Sequence, residues 1–171
     1  MTHVISPVIG VSLSTVYTGT TTDGEDAPFA LGTRVNGEDG TVWLFVQAEA
    51  AVTQYDCVII DENFQIQAVT TTLATEASGD AGCMFGFAQV AFADNEFGWV
   101  ATKGSNISCR GSASAGTADM MLYTTATAGV LSTVSAGVLI NGVAFVTSAS
   151  ASAAEIIASN PVSRFAVNLA S

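Results

Sequence analysis

The side chains of this sequence that could take part in chemistry are few and far apart. His3 is the single histidine and lies at the N-terminus, so a Ser-His-Asp or Cys-His arrangement would have to draw its general base from there. Cys57, Cys83 and Cys109 are widely spaced and form no C-x-x-C pair. That pattern suits reduced, buried thiols better than a disulfide framework or a zinc site. Acidic residues cluster at Asp23, Glu25 and Asp26, at Glu38 and Asp39, at Asp61 and Glu62, and at Asp94 and Glu96. Each cluster sits at a predicted turn, where carboxylates are simply solvated, and none has the spacing of an EF-hand loop. The corner at Asp94 and Glu96 is the best placed of them for a surface Ca²⁺, since hard cations favour clustered oxygens. A glycosidase-type carboxylate pair would meet only in space, and no pair is favoured by spacing. There is no P-loop, and no G-x-G-x-x-G follows a predicted strand. No catalytic, cofactor-binding or metal-ligating residue is therefore assigned, and no cofactor is expected.

The bulk composition narrows the partners. Fifteen acidic side chains stand against Arg34, Lys103, Arg110 and Arg164, giving a net charge of -11. Nucleic-acid affinity rests on neutralising phosphates with Lys and Arg, so DNA and RNA are not expected as partners. No apolar run approaches the roughly 18 residues that cross a bilayer, and no membrane partner is expected. MTHVISPVIGVSLS has no basic start and carries Pro7 in its middle, so it does not resemble a secretory signal. Charged residues make up only 11% of the chain, and Ala, Thr, Ser, Gly and Val dominate, which is an all-β composition.

The elements follow from alternation and turn chemistry. GCMFGFAQVAFADNEFGWVATKG, Gly82 to Gly104, reads as a central hairpin: Met84 to Ala93 and Trp99 to Thr102, turned at Asp94, Asn95 and Glu96. Its first arm is nearly continuous in apolar residues, so both faces are expected to be covered. A turn is expected to begin at Gly104, with a separate strand from Asn106 to Arg110. Phe29 to Val35 and Thr41 to Gln47 flank Asn-Gly and Asp-Gly pairs and predict a second hairpin. Ala48 to Tyr55 is read as one helical turn, followed by strands from Cys57 to Ile60 and Gln65 to Val69. Further short strands are expected near Met121, Val130 and Val143; Ser148 to Ser159 is read as a loop or an Ala-rich helix, and Arg164 to Leu169 as a last strand. Trp43, Trp99, Phe85, Phe87, Phe92 and Phe97 fall inside apolar strands, which favours core packing over a stacking platform for sugars or bases. Strands about ten residues apart with Gly-rich punctuation predict a single small β-barrel or β-sandwich, jelly-roll-like, over residues 27–171. Residues 1–26 read as an extended N-terminal arm, whose Val4, Ile5, Val8, Ile9, Val11 and Leu13 are the candidate intermolecular contacts; an ordinary first strand is the other reading.

FALGTRV from Phe29, VQAEAAVTQYDCVIIDENF from Val46, GFAQVAFADNEFGWVATKG from Gly86 and LYTTATAGVLS from Leu122 occur in this order and spacing. Together they resemble the capsid decoration (cement) proteins of tailed bacteriophages over roughly Phe29 to Val146. The resemblance implies a β-rich, commonly trimeric protein on the outside of an icosahedral shell, made in the host cytoplasm and tying copies of the major capsid protein together. It implies a virion location and no active site. Two other functions compete with it: a non-catalytic β-sandwich module binding carbohydrate or a host surface, and a small β-barrel hydrolase acting through paired carboxylates.

Overall fold

Nearly continuous apolar runs, Trp43 to Val46, Cys57 to Ile60 and Met84 to Ala88, leave those strands no polar face, and the fold covers both of their sides. The computed structural model describes residues 11–18, 27–37, 39–75, 84–112, 117–148 and 153–163. Among them the strands are β1 (Tyr17–Thr18), β2 (Arg34–Asn36), β3 (Val42–Ala48), β4 (Cys57–Ile60), β5 (Gln65–Ala68), β6 (Met84–Ala88), β7 (Glu96–Arg110), β8 (Met121–Thr124), β9 (Leu131–Ser132), β10 (Leu139–Phe145) and β11 (Ala153–Ser163). The described residues contain no helix. The protein is all-β.

The pairings close a circuit. β7 pairs antiparallel with β3, β3 parallel with β5, and β5 with β4, β4 with β6 and β6 with β7 all antiparallel. The result is a small barrel, lightly sewn at two seams: β3 meets β5 only at Gln47↔Gln65 and Ala48↔Ile66, and β6 meets β7 only at Phe87↔Ala101 and Ala88↔Val100. One set of alternate side chains fills the barrel, among them Leu44, Val46, Val58, Ile60, Ile66 and Val100. Val52 and Phe92 plug its end, each N–H donating to the other's carbonyl at 2.9 Å.

The opposite faces of the same strands are covered by two further layers. Cys57, Ile59, Phe85 and Phe87 pack against the C-terminal layer of β8, β10 and β11, through Leu122, Ile140, Phe145 and Ile156. On the other side Phe45, Phe97 and Trp99 are covered by Val11, Leu13, Tyr17, Phe29 and Leu31. The rings meet mostly at steep angles, with centroids 5.0 Å apart for Phe45 and Trp99, 5.2 Å for Phe29 and Trp99, and 5.4 Å for Phe29 and Phe45. Such edge-on or tilted contacts match the quadrupoles of aromatic rings. β7 serves two layers, pairing with β3 from Phe97 to Lys103 and with β11 from Lys103 to Arg110. Gly104 lets the strand pass from one to the other. Its φ of +133° is open only to glycine, and a Cβ there would lie 2.9 Å from Thr41 Cα.

Several local expectations are corrected by these pairings. Ala48 to Tyr55 is not helical: Glu49 donates to the Ile66 carbonyl and Val52 exchanges bonds with Phe92, so tertiary partners take the backbone groups a helical turn would use. Asn106 to Arg110 is not a separate strand but the second half of β7, carried through Gly104 without a turn. Of Ser148 to Ser159, the described Ala153 to Ser159 is neither loop nor helix but opens β11, where Ala154, Ile156 and Ala158 alternate into the core. Pairing with β10 on one side and β7 on the other overrides the helix preference of alanine. The strand expected from Phe29 shrinks to Arg34–Asn36, and Phe29 itself covers the aromatic layer. Arg164 to Leu169 lies outside the described residues.

The aromatic layer yields a stability prediction. Phe45 is fully buried and touches the rings of Tyr17, Phe29, Phe97 and Trp99. Phe45→Ala should cost about 3–5 kcal/mol, since a large cavity opens in a packed core. In a thermal melt followed by circular dichroism, the midpoint should fall by about 10 °C.

Candidate functional site

Four stretches of chain meet at Asp56, the one carboxylate among the described residues that is buried. It lies between the Val52 bridge and β4, in the apolar context YDCVII, and is 2% exposed. Its Oδ1 accepts from Arg110 Nη1 at 2.5 Å, and its Oδ2 accepts from the Thr53 N–H at 2.9 Å. The surrounding backbone is tied as well: Tyr55 donates to Ala88, Ala88 to Asp56, Arg110 to Tyr55 and Cys57 to Gly129. Gly129 presses on the carboxylate from the loop after β8. With φ at +73°, it occupies a conformation that suits glycine, and a Cβ would come within 2.5 Å of the Asp56 Cβ. Asp56 thus ties the barrel, the end of β7 and the C-terminal layer at one point.

The electrostatics of this point suit a staple. Burial pushes the Asp56 carboxyl up from its ordinary value, against the opposing pull of the Thr53 N–H and the Arg110 guanidinium. A carboxyl raised in the folded state binds its proton more tightly there than in the unfolded chain. Its contribution therefore weakens stability as pH rises above 3.8. Beside it Cys57 and Cys109 are free and buried, and desolvation holds both thiols protonated, with Asp56 pushing in the same direction. A protonated, enclosed thiol is a poor nucleophile. The side chain of Cys83 lies outside the described residues.

Next to this cluster Gln89 does the work of a strand. Its side-chain amide donates to the Ser108 carbonyl at 2.9 Å and accepts from the Ser108 N–H at 3.1 Å, covering backbone groups of β7 that face away from β11. The other polar features are also engaged locally. Asp61 Oδ1 caps the N–H groups of Asn63 and Gln65, and Glu96 accepts from the Ala93 N–H. Asp39 accepts from the Thr41 hydroxyl at 2.6 Å, Thr41 in turn accepts from the Trp43 indole at 2.7 Å, and these bonds from Thr41 hold the Asp39 carboxyl below its usual value. A hollow of about 310 Å³ is lined by Thr71, Thr124, Thr125 and Ser132. Its hydroxyls are bonded to Val130, Val134, Val138 and one another. Among the described residues no three His, Cys, Asp or Glu side chains come together as a metal site.

The sequence-predicted contacts divide. Val11 and Leu13 pack, half-buried, on the Phe45, Phe97 and Trp99 layer of their own chain, and Tyr17 pairs with Phe97 at the start of β7. Val4, Ile5, Val8 and Ile9 lie outside the described residues. Of the aromatic residues weighed as a stacking platform, Phe85, Phe87, Phe92, Phe97 and Trp99 are buried and Trp43 packs partly buried against the core, and every described Phe, Tyr and Trp is at least half-buried. The indole N–H of Trp99 has no partner among the described residues. Sequence reasoning missed the link between Asp56 and Arg110, 54 positions apart, although an ionisable residue inside an apolar run is the signal that a partner is needed. Comparison with protein-family profiles, with curated proteins and with solved structures found no match to this chain.

The staple predicts an asymmetry. Arg110→Ala strands a buried carboxylate and should cost about 3 kcal/mol or more at pH 7, whereas Asp56→Ala leaves an arginine that water can reach and should cost about 1–3 kcal/mol. Urea midpoints at pH 7 and pH 4.5 should show the Arg110→Ala deficit shrinking at the lower pH, as Asp56 takes up its proton. In Cys83→Ser protein, a thiol reagent should find no reactive cysteine until the chain is unfolded.

Proposed function

We propose that this chain is a structural virion protein that decorates the outside of a tailed-phage capsid and stabilises it by bridging major capsid subunits, acting as a trimer. The observation that carries the reading is where the decoration-protein-like segments fall. Val46 to Phe64 supplies the end of β3 and all of β4, Gly86 to Gly104 supplies the end of β6 and the barrel half of β7, and Leu122 to Ser132 supplies most of β8, β9 and the Gly129 contact on Asp56. The resemblance thus includes Asp56, Thr53 and Gly129, three of the residues at the point where the layers meet. A surface rich in acid suits a protein outside the shell rather than on packaged DNA. The one buried carboxylate among the described residues, Asp56, is paired with Arg110, which favours a structural role for it over the hydrolase reading. Among the described residues the aromatics are half-buried or buried, which favours the structural reading over a glycan-binding strip.

Three weak arms on one trimer would act as a single tight attachment, because each contact after the first is intramolecular, with gains of roughly 10² to 10⁴. Since Val11 and Leu13 pack on their own domain, the arm is best tested by removing residues 1–10 alone. Cryo-electron microscopy of purified particles should place full-length chain between capsomers on the outer surface. The shortened chain should keep its melting midpoint and lose occupancy. Density for this chain in a tail fibre, or shells lacking it altogether, would refute the assignment.

A further inference from the structure

The outer face of the C-terminal layer carries a row of apolar side chains that nothing described covers. Opposite residues in an antiparallel pair share a face, so Met121 of β8, Ala144 of β10 and Ile157 of β11 stand side by side: Ala144 is the register partner of both others. Met121 is 63% exposed and Ile157 52%. Val146, at 44%, extends the row, for its N–H bonds the carbonyl of outward-facing Glu155, and Met120, 49% exposed, leads into Met121. Isolated exposed apolar residues are ordinary, but a contiguous row of this kind marks an interaction surface.

The charges beside the row say what fits it. Along β11 the outward residues are Glu155, Ile157 and Ser159, while Ala154, Ile156 and Ala158 point into the core. Ser159 lies opposite Lys103 of β7, which places Lys103 on the same outward face, two residues beyond Ile157. Glu155 lies two residues to the other side. Neither takes part in an ion pair among the described residues. Each stands about 7 Å along the strand from Ile157. The face is therefore its own complement. A two-fold axis running between two such faces and crossing β11 at Ile157 lays Glu155 of one copy near Lys103 of the other, twice, around a shared apolar centre.

We propose that this face is a two-fold self-association surface whose occupant is a second copy of the chain. An isologous contact of this sort meets the same patch with itself and closes after two copies. For a chain of net charge -11, it is also a place where two copies can approach with opposite charges aligned. The contact goes beyond the capsid reading and is separate from any contact that closes a ring of three; it would join two such units or two single chains.

Sedimentation equilibrium of the full chain, from about 10 μM to 1 mM, tests it in the range where modest interfaces operate. The weight-average mass should rise towards twice the smallest species. Ile157→Thr, which keeps a β-branched residue, should weaken association at least tenfold; Met121→Thr serves if that variant melts early. Lys103→Glu and Glu155→Lys should each weaken it about tenfold, and the two together should restore it to within about threefold. A mass independent of concentration, association indifferent to these substitutions, or failure of the combined reversal to rescue would overturn the proposal. So would a face that responds only to phospholipid vesicles. Shell binding by a chain that never pairs would leave the capsid reading standing and remove this one; pairing without shell binding would do the reverse.

Discussion

Apart from β5, the barrel strands of this protein are covered on both sides, and most of its other properties follow from that constraint. A strand between two apolar layers has no wet face on which to carry charged or reactive groups. β4 shows the rule in four residues: Val58 and Ile60 fill the barrel, while Cys57 and Ile59 face the C-terminal layer. β3 and β7 do the same toward the N-terminal segment, with Phe45, Phe97 and Trp99 outward and Leu44, Val46 and Val100 inward. Ionisable groups are left to turns and edges, and that is where Asp39, Asp61 and Glu96 lie, each bonded to nearby backbone.

The exception to the rule holds the layers together. Asp56 is placed where barrel, β7 and the loop after β8 meet, and the Arg110 guanidinium and Thr53 amide satisfy both its oxygens. A buried pair of this kind adds little net stability relative to an apolar replacement, but it fixes geometry, since any other registry leaves a charge unpaired in the core. Gly129 follows from the same demand, because space beside the carboxylate admits no side chain. Gln89 extends the economy to the sheet edge, one amide side chain standing in for a missing strand at Ser108.

Much of this was legible in the residues, and the failures have physical causes. The all-β class can be read from composition, and the doubly covered run from Met84 and the strand from Cys57 to Ile60 from their nearly unbroken apolar residues. Elements whose conformation is decided by distant partners cannot. Alanine at 153, 154 and 158 favours a helix locally, yet pairing on both edges makes β11. Gly104 looks like a turn until Thr41 and β11 are in place around it. The same holds for the sites: Asp56 with Arg110, and Met121 with Ala144 and Ile157, are separated by loops of no fixed length, so their meeting is a property of register.

The length of β7 has a mechanical corollary. At about 3.3 Å per residue its 15 residues trace at most some 50 Å, a rod bent where Gly104 and Asn106 take positive φ. Tension along that rod meets its ladders to β3, β6 and β11 broadside, and hydrogen bonds lying across the line of pull must rupture in concert rather than unzip one by one. Stretching forces are thereby shared between barrel and outer layer along a single continuous tie.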